Sequence, residues 1–157
     1  APQRMQLWKK WITFEEANGS YEELKKISEK SQRIASTATS SKLYYIVARK
    51  VQQKGELENA LNSITTAVAL DEDNFKYLRQ KASIENEMAL YKNAERSLKK
   101  ATEINSDSWK SWMKLGRVRL KLEKERKANR AFSKAVKIRP KLRDKVDEIW
   151  EDFQLED

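Results

Sequence analysis

The sequence predicts an all-α protein made of stacked antiparallel helix pairs. Two observations carry this prediction: the composition favours helices, and the chain resembles itself at an interval of 34 residues. It has only three glycines and two prolines among 157 residues, so few residues interrupt a helix. A period of roughly 20–50 residues is typical of arrays in which each unit packs on its neighbours.

Three segments align without a gap at this interval: residues 41–74, 75–108 and 109–142. Small residues recur at the eighth, twentieth and twenty-seventh positions, and large apolar residues recur at the fourth and twenty-fourth. The small set is Ala48, Ala82, Gly116, Ala60, Ala94, Ala128, Ala67, Ala101 and Ala135, and the large set is Tyr44, Leu78, Trp112, Ile64, Leu98 and Phe132. Small side chains let two helices approach closely while large ones fill the space beside the contact, so each segment is predicted to be one helix pair.

At these positions the chain resembles the tetratricopeptide repeat. The third segment matches the family pattern best, through Trp112, Leu115, Gly116, Ala128, Phe132, Ala135 and Pro140, while Arg119 stands where the family has tyrosine. The resemblance implies an α-solenoid, a superhelix of about four helix pairs with a C-terminal capping helix, in one domain over residues 1–157. It also implies a protein-binding scaffold.

Residues 5–38 are predicted to form a further helix pair with a turn at residues 18–20. Trp8, Trp11 and Phe14, followed by Glu15 and Gly19, resemble the half-a-TPR (HAT) repeat. That resemblance implies an intracellular assembly for RNA processing or ribosome biogenesis, nuclear or nucleolar in preference to cytoplasmic. Residues 36–40 are predicted to be a polar joint before the first regular unit.

Residues 142–157 are predicted to form a capping helix with an acidic tail. Apolar residues at spacings of three and four give this helix one apolar face, at Leu142, Val146, Ile149, Trp150 and Phe153. Such a face covers the open end of a repeat array. Four tryptophans fall at apolar phases and are predicted to pack in the core or between repeats: Trp8, Trp11, Trp112 and Trp150.

The chain contains no histidine and no cysteine. Their absence removes the commonest general base at neutral pH and the commonest zinc ligands, and no glycine-rich phosphate loop is present. We therefore expect no enzyme, no cofactor, no metal site and no small-molecule substrate. No apolar run is long enough for a membrane span, so no membrane partner is expected. Since the first residue is Ala1, we expect a fragment of a larger subunit.

The basic charge is concentrated in the second half. Residues 75–142 contain 20 Lys and Arg against 7 Asp and Glu, a net charge of +13, while the whole chain carries +9. In tetratricopeptide arrays the first helix of each unit lines the concave surface, and the resemblance places these residues there: Lys42, Tyr45, Arg49, Lys76, Arg79, Asn86, Lys110, Arg117 and Lys121. Lysine recurs at the second position of every unit, which predicts a basic row along a groove. Such a groove favours an extended acidic segment of a protein partner.

Two alternatives remain open. The second helix of the third unit has a basic outer face, formed with its preceding turn by Lys124, Arg126, Lys127, Arg130 and Lys134. This face could bind RNA phosphates, directly or within a complex, or an acidic partner, and the acidic tail of the same chain could fold against it.

The other alternative is a peptide-binding adaptor of a chaperone or transport system. Family members that clamp the C-terminal carboxylate of heat-shock chaperones carry Lys and Asn where this chain has Tyr45 and Arg49. The resemblance therefore does not imply that particular ligand.

Overall fold

The computed structural model describes residues 2–156, and within that range the chain is helical and contains no strand. The helices are α1 (Pro2–Asn18), α2 (Tyr21–Ile34), α3 (Thr37–Gln53), α4 (Leu57–Leu70), α5 (Phe75–Glu87), α6 (Tyr91–Ile104), α7 (Trp109–Lys121), α8 (Glu125–Ile138) and α9 (Arg143–Leu155), with a 3-10 helix, Pro140–Leu142, before α9. The all-α fold class, with successive helix pairs and a terminal helix, is confirmed. The chain divides into two compact units, and the division falls within α5, between Ile84 and Glu85.

The first unit contains α1 to α4 and most of α5. Its core is apolar: Ile12, Leu43, Val47 and Ile64 have no exposed surface. Ala48, at the eighth position of its repeat, is also completely buried. Removing this much apolar surface from water is the main force that holds short helices in place, because helices of this length are marginal on their own.

Small polar side chains fill the contact between α2 and α3. Ser31 Oγ donates to Ser40 Oγ at 3.2 Å, and the Tyr44 hydroxyl donates to Gln32 Oε1 at 2.7 Å. Ser36 caps α3, since its hydroxyl accepts the Thr39 amide at 3.2 Å. The predicted polar joint at residues 36–40 is therefore wrong: α3 begins at Thr37, because a capping serine and buried serines extend the helix toward its N-terminus.

The predicted packing of the tryptophans is correct for Trp8, which is 9% exposed. Trp11 is 38% exposed, so the prediction of a packed side chain is wrong there. It stacks on Trp8 at 5.6 Å between ring centroids, and Lys30 Nζ lies 5.3 Å from its ring centroid. Trp112 and Trp150 are half-buried in the second unit.

In the second unit α7 and α8 meet at Gly116. A Cβ atom at this position would lie 2.5 Å from the ring of Phe132, whose side chain is 1% exposed. The predicted role of a small residue at the eighth position is confirmed here. Phe132 also contacts Trp150 of α9 edge-on, with 6.1 Å between ring centroids. Val146, Ile149 and Phe153 add to the same cluster, so α9 covers the apolar face of the α7–α8 pair.

The turn within each regular repeat has one local conformation. Gly55, Ala89 and Glu123 all occupy the fifteenth position of the 34-residue period and have φ of 81°, 59° and 58°. In each turn the following amide donates to a carbonyl five residues back, for example Leu90 to Glu85 at 2.8 Å. This bond satisfies a carbonyl that the helix end would otherwise leave unpaired. Only the first turn has the glycine that favours a positive φ.

Arg119, which replaces the family's tyrosine, joins three helices of the second unit. Its Nε lies 3.2 Å from a Glu95 carboxylate oxygen, and its guanidinium donates to the Lys127 carbonyl at 3.1 Å. Lys124 Nζ reaches the other Glu95 oxygen at 2.6 Å. Burial raises the pKa of Glu95, but the hydrogen bonds from Lys124 and Arg119 outweigh it, and the pKa lies below its ordinary value. The departure from the family pattern is thus an ion-pair network between α6, α7 and the start of α8.

Candidate functional site

The first unit gathers four residues of α3 and α5 around a tyrosine pair, here called the Tyr45 cluster: Tyr45, Arg49, Tyr77 and Arg79. The rings of Tyr45 and Tyr77 stack with 4.7 Å between centroids. The Arg49 guanidinium lies 5.8 Å from the Tyr45 centroid, within the range of a cation–π contact. Gln52 and Gln80 share a side-chain hydrogen bond that also joins α3 to α5. Arg79 also interacts electrostatically with Tyr45. Three residues that the tetratricopeptide resemblance predicted for the site, Tyr45, Arg49 and Arg79, therefore come together.

The cluster is partly withdrawn from water. Burial lowers the pKa of the Arg79 guanidinium, which stays protonated because arginine does not lose its proton in proteins. Burial raises the pKa of the Tyr77 hydroxyl, so this group is neutral at neutral pH. Positive charge beside apolar rings attracts an anion more strongly than charge in open water does, because the local dielectric constant is lower.

Lysines extend the basic character of the first helices. Lys42 on α3 and Lys76 on α5 are exposed in the first unit, and Lys110 on α7 is exposed in the second. Lys110 Nζ lies 5.7 Å from the centroid of the Trp109 ring. The continuous row of these three lysines stays a prediction.

The second unit has a groove between α7 and α9, with a volume of about 450 Å³. We call it the α7–α9 groove, and it is lined by Asn86, Arg117, Leu120, Lys121, Glu123, Ile149, Asp152, Phe153 and Glu156. Three of the predicted site residues, Asn86, Arg117 and Lys121, lie together here. Arg117 and Lys121 are exposed, whereas Leu120 is buried and Ile149 and Phe153 are half-buried.

Sequence reasoning missed the α9 wall of this groove. It allowed the acidic tail to fold against the outer face of α8, but Asp152 and Glu156 lie beside Arg117 and Lys121 of α7. The spacing of apolar residues identifies which face of α9 is buried. It does not specify which side of the preceding pair that face covers, so the acidic side of the groove had no sequence signal of its own.

The five basic residues predicted for the outer face of the last pair are not equivalent. Arg126, Lys127 and Arg130 are exposed on α8. Lys124 differs because its ammonium group pairs with Glu95. Lys134 lies over the Trp112 ring at 4.5 Å from the centroid. Of the five predicted residues, Lys124 is therefore held in an ion pair and Lys134 in a cation–π contact, while Arg126, Lys127 and Arg130 are exposed.

Two further findings concern the described residues 2–156 only. No group of three or more acidic side chains there is arranged to hold a metal ion. None of the helices in this range combines the length and apolarity that crossing a bilayer requires.

The chain is similar to known proteins in part of its sequence and in its fold. The family model described as "Tetratricopeptide repeat" matches residues 110–142. No curated protein matches the sequence significantly.

Solved structures with similar folds share little sequence with this chain. The Arabidopsis OM64 TPR domain superposes with a TM-score of 0.71 at 19% identity, over 78% of this chain and all 100% of that domain. The first TPR of Spaghetti (RPAP3), bound to the HSP90 peptide SRMEEVD, gives 0.68 at 18% identity, over 73% of this chain and 91% of that one. YrrB, a TPR protein with an unusual peptide-binding site, gives 0.64 at 22% identity, over 76% and 61%.

These likenesses establish the fold and confirm the resemblance inferred from the repeat pattern. Residues 110–142 match the tetratricopeptide-repeat model, and the helix pairs of the chain have the fold of tetratricopeptide-repeat proteins.

Proposed function

We propose that this chain is a protein-interaction scaffold, without enzymatic activity, that belongs to a subunit of a multiprotein complex and binds an extended acidic segment along its first helices. The observation that carries the proposal is the Tyr45 cluster. It puts the Arg49 guanidinium over the ring of Tyr45, which stacks on Tyr77. Arg79, on the same helix as Tyr77, interacts electrostatically with Tyr45. Exposed Lys42 and Lys76 surround it with further positive charge.

The chemistry of the cluster suits carboxylates. A guanidinium can donate two parallel hydrogen bonds to one carboxylate, and an adjacent aromatic ring packs on the aliphatic part of the ligand. Tyr45 is half-exposed and is held in place by stacking on the buried Tyr77, so it presents this contact area at a low entropic cost, since a tyrosine has few rotatable bonds. An acidic ligand is also drawn toward a basic surface during encounter.

The structural neighbours support peptide binding as a general use of this fold. The first TPR of Spaghetti was solved with SRMEEVD, a peptide that contains two glutamates and one aspartate. That ligand belongs to that protein, and at 18% identity the likeness extends to the fold alone. For this chain SRMEEVD serves as a second probe, which tests the adaptor alternative.

Fluorescence anisotropy with a labelled acidic peptide, GSEEDLDEEG, tests the proposal. Its amide counterpart, GSQQNLNQQG, controls for shape. The double variant Lys42→Glu with Arg49→Glu should weaken binding of the acidic peptide by about tenfold or more, because two attractive contacts become repulsive.

The matched control is Lys99→Glu with Lys100→Glu on α6. Both lysines are exposed, and the change in net charge is the same, so the control isolates position from overall charge. Equal weakening by both double variants would refute a site on the first helices. Equal affinity for the acidic and amide peptides would refute recognition of carboxylates.

A second candidate function, RNA binding, has one observation in its favour: Arg126, Lys127 and Arg130 are exposed on a single helix. Single-stranded RNA held by these residues would dissociate with rising salt, because phosphate contacts release counterions. A triple change to glutamine should then abolish binding at low salt. RNA binding by the triple variant at low salt, or no RNA binding by the wild-type chain at low salt, excludes α8 as an RNA site.

The cellular setting that we propose is an assembly for RNA processing or ribosome biogenesis, nuclear or nucleolar. The support is the HAT-like aromatic pattern of the first helix pair, where Trp8 and Trp11 stack. Imaging of the tagged full-length protein with nuclear and nucleolar markers tests the location. A signal confined to the cytoplasm would contradict it.

A further inference from the structure

We propose that the α7–α9 groove recognises a segment of mixed charge: an apolar anchor residue with an acidic residue on one side and a basic residue on the other. The inference rests on the proposed scaffold function and names the ligand class for the last repeat. It differs from a wholly acidic ligand, because one wall of this groove is itself acidic.

The two walls of the groove carry opposite charge. Arg117 and Lys121 belong to α7, Asp152 belongs to α9, and Glu156 directly follows the end of α9. Glu123, in the turn after α7, adds a carboxylate at the end of the basic wall. Asn86 adds a neutral amide, which can both donate and accept hydrogen bonds.

Both sets of charges are available to a ligand. All four wall residues are exposed. Among residues 2–156, no ion pair joins Arg117 or Lys121 to Asp152 or Glu156. The walls face a common space of about 450 Å³ without neutralising each other by contact, and a cavity of this size accommodates side chains of a bound segment.

The groove also has an apolar lining. Leu120 comes from α7, and Ile149 and Phe153 come from α9. These three side chains belong to or pack against the core cluster around Phe132, so their positions are fixed by the interior. An apolar ligand residue can bury its surface against them, while the charged rim sets which flanking residues are accepted.

The acidic wall acts against a wholly acidic segment. Carboxylates that extend past the anchor would approach Asp152 and Glu156, and like charges in a partly enclosed site repel. A basic flanking residue at the same place gains an ion pair. The groove therefore selects by repulsion as well as by attraction.

The test uses four labelled peptides that share one apolar centre. GEELFKKG and GKKLFEEG have mixed charge in the two chain directions, GEELFEEG is acidic, and GKKLFKKG is basic. The wild-type chain should bind the better mixed peptide about fivefold more tightly than either single-sign peptide, which is the upper end of the effect of one added exposed ion pair. The double variant Asp152→Asn with Glu156→Gln should erase the preference for mixed over acidic.

The matched control is Asp147→Asn with Glu151→Gln. Both residues are exposed on α9, neither lines the groove, and the chemical change is the same. This control should keep the wild-type order of affinities. Circular dichroism confirms that each variant keeps its helical content.

The two sets of peptide-binding measurements distinguish a failure of this inference from a failure of the proposed function. If the acidic peptide binds wild type as tightly as the mixed one, or if Asp152→Asn with Glu156→Gln leaves the preference intact, the inference is overturned while binding at the Tyr45 cluster stands. If the double variant Lys42→Glu with Arg49→Glu binds GSEEDLDEEG as tightly as the wild-type chain does, the proposed acidic-peptide site at the Tyr45 cluster is refuted, and the groove inference is judged by its own peptides. Absence of binding for every peptide overturns both.

Discussion

Replacing Gly116 with alanine should destabilise the second unit, although alanine is the better helix former. The added Cβ would lie 2.5, 2.6 and 2.7 Å from three ring atoms of Phe132, and that ring is 1% exposed and cannot turn into solvent. Overpacking of this kind costs about 1–3 kcal/mol, whereas the gain in helix propensity is roughly 1 kcal/mol. We expect a net loss of about 1 kcal/mol in the free energy of unfolding, measured by urea denaturation.

A double-mutant cycle with Phe132→Leu separates the two effects. The smaller side chain removes the ring atoms that the Cβ would meet, so Gly116→Ala should become neutral or stabilising in that background. If Gly116→Ala stabilises the wild-type chain by about 1 kcal/mol, the higher helix propensity of alanine is not offset by any steric cost at Phe132. The close approach of α7 and α8 would then be refuted.

Two other predictions follow from the turns and from the partly buried ion pairs of Glu95. Ala89→Gly and Glu123→Gly should each stabilise the chain by about 0.5–1 kcal/mol in urea denaturation, because both residues have positive φ, as Gly55 does; a loss of stability in both would contradict the assigned turn conformation. The pKa of Glu95 is lower in the folded chain than its ordinary value of 4.5, so protonation favours unfolding. The contribution of Glu95 to the free energy of unfolding is therefore present above its ordinary pKa and is lost as the pH falls through the lowered folded-state pKa. Glu95→Gln should make the free energy of unfolding fall less steeply with decreasing pH in this acid range. An unchanged slope would contradict the network with Lys124.

The 34-residue period was sufficient to predict the helix pairs and their close contacts. Gly116 was predicted as a small contact residue from its phase alone, and the structure places it against Phe132. Contacts between the two helices of a pair are local in sequence, so a repeating pattern of small and large residues encodes them directly.

The turn conformations and the Arg119 network depend on tertiary geometry that residue types alone do not predict. Ala89 and Glu123 take positive φ where a glycine would be expected, because the helices on either side impose the same turn. Arg119 breaks the family pattern, and only the positions of Glu95 and Lys124 show why.

The candidate site divides in the same way. The resemblance to tetratricopeptide arrays predicted Tyr45, Arg49 and Arg79, but the stacking of Tyr45 on Tyr77 depends on the packing of α3 against α5 within the first unit. Asp152 and Glu156 were not assigned to the groove, since the side on which a terminal helix docks is decided by tertiary packing.

The most direct test of the central claim is a ¹⁵N NMR titration of the chain with the acidic peptide GSEEDLDEEG. A site at the Tyr45 cluster predicts that the largest chemical-shift changes occur in α3 and α5, beginning with the amides around Tyr45 and Tyr77. Changes confined to the second helices α4, α6 and α8, or no saturable change, would contradict it.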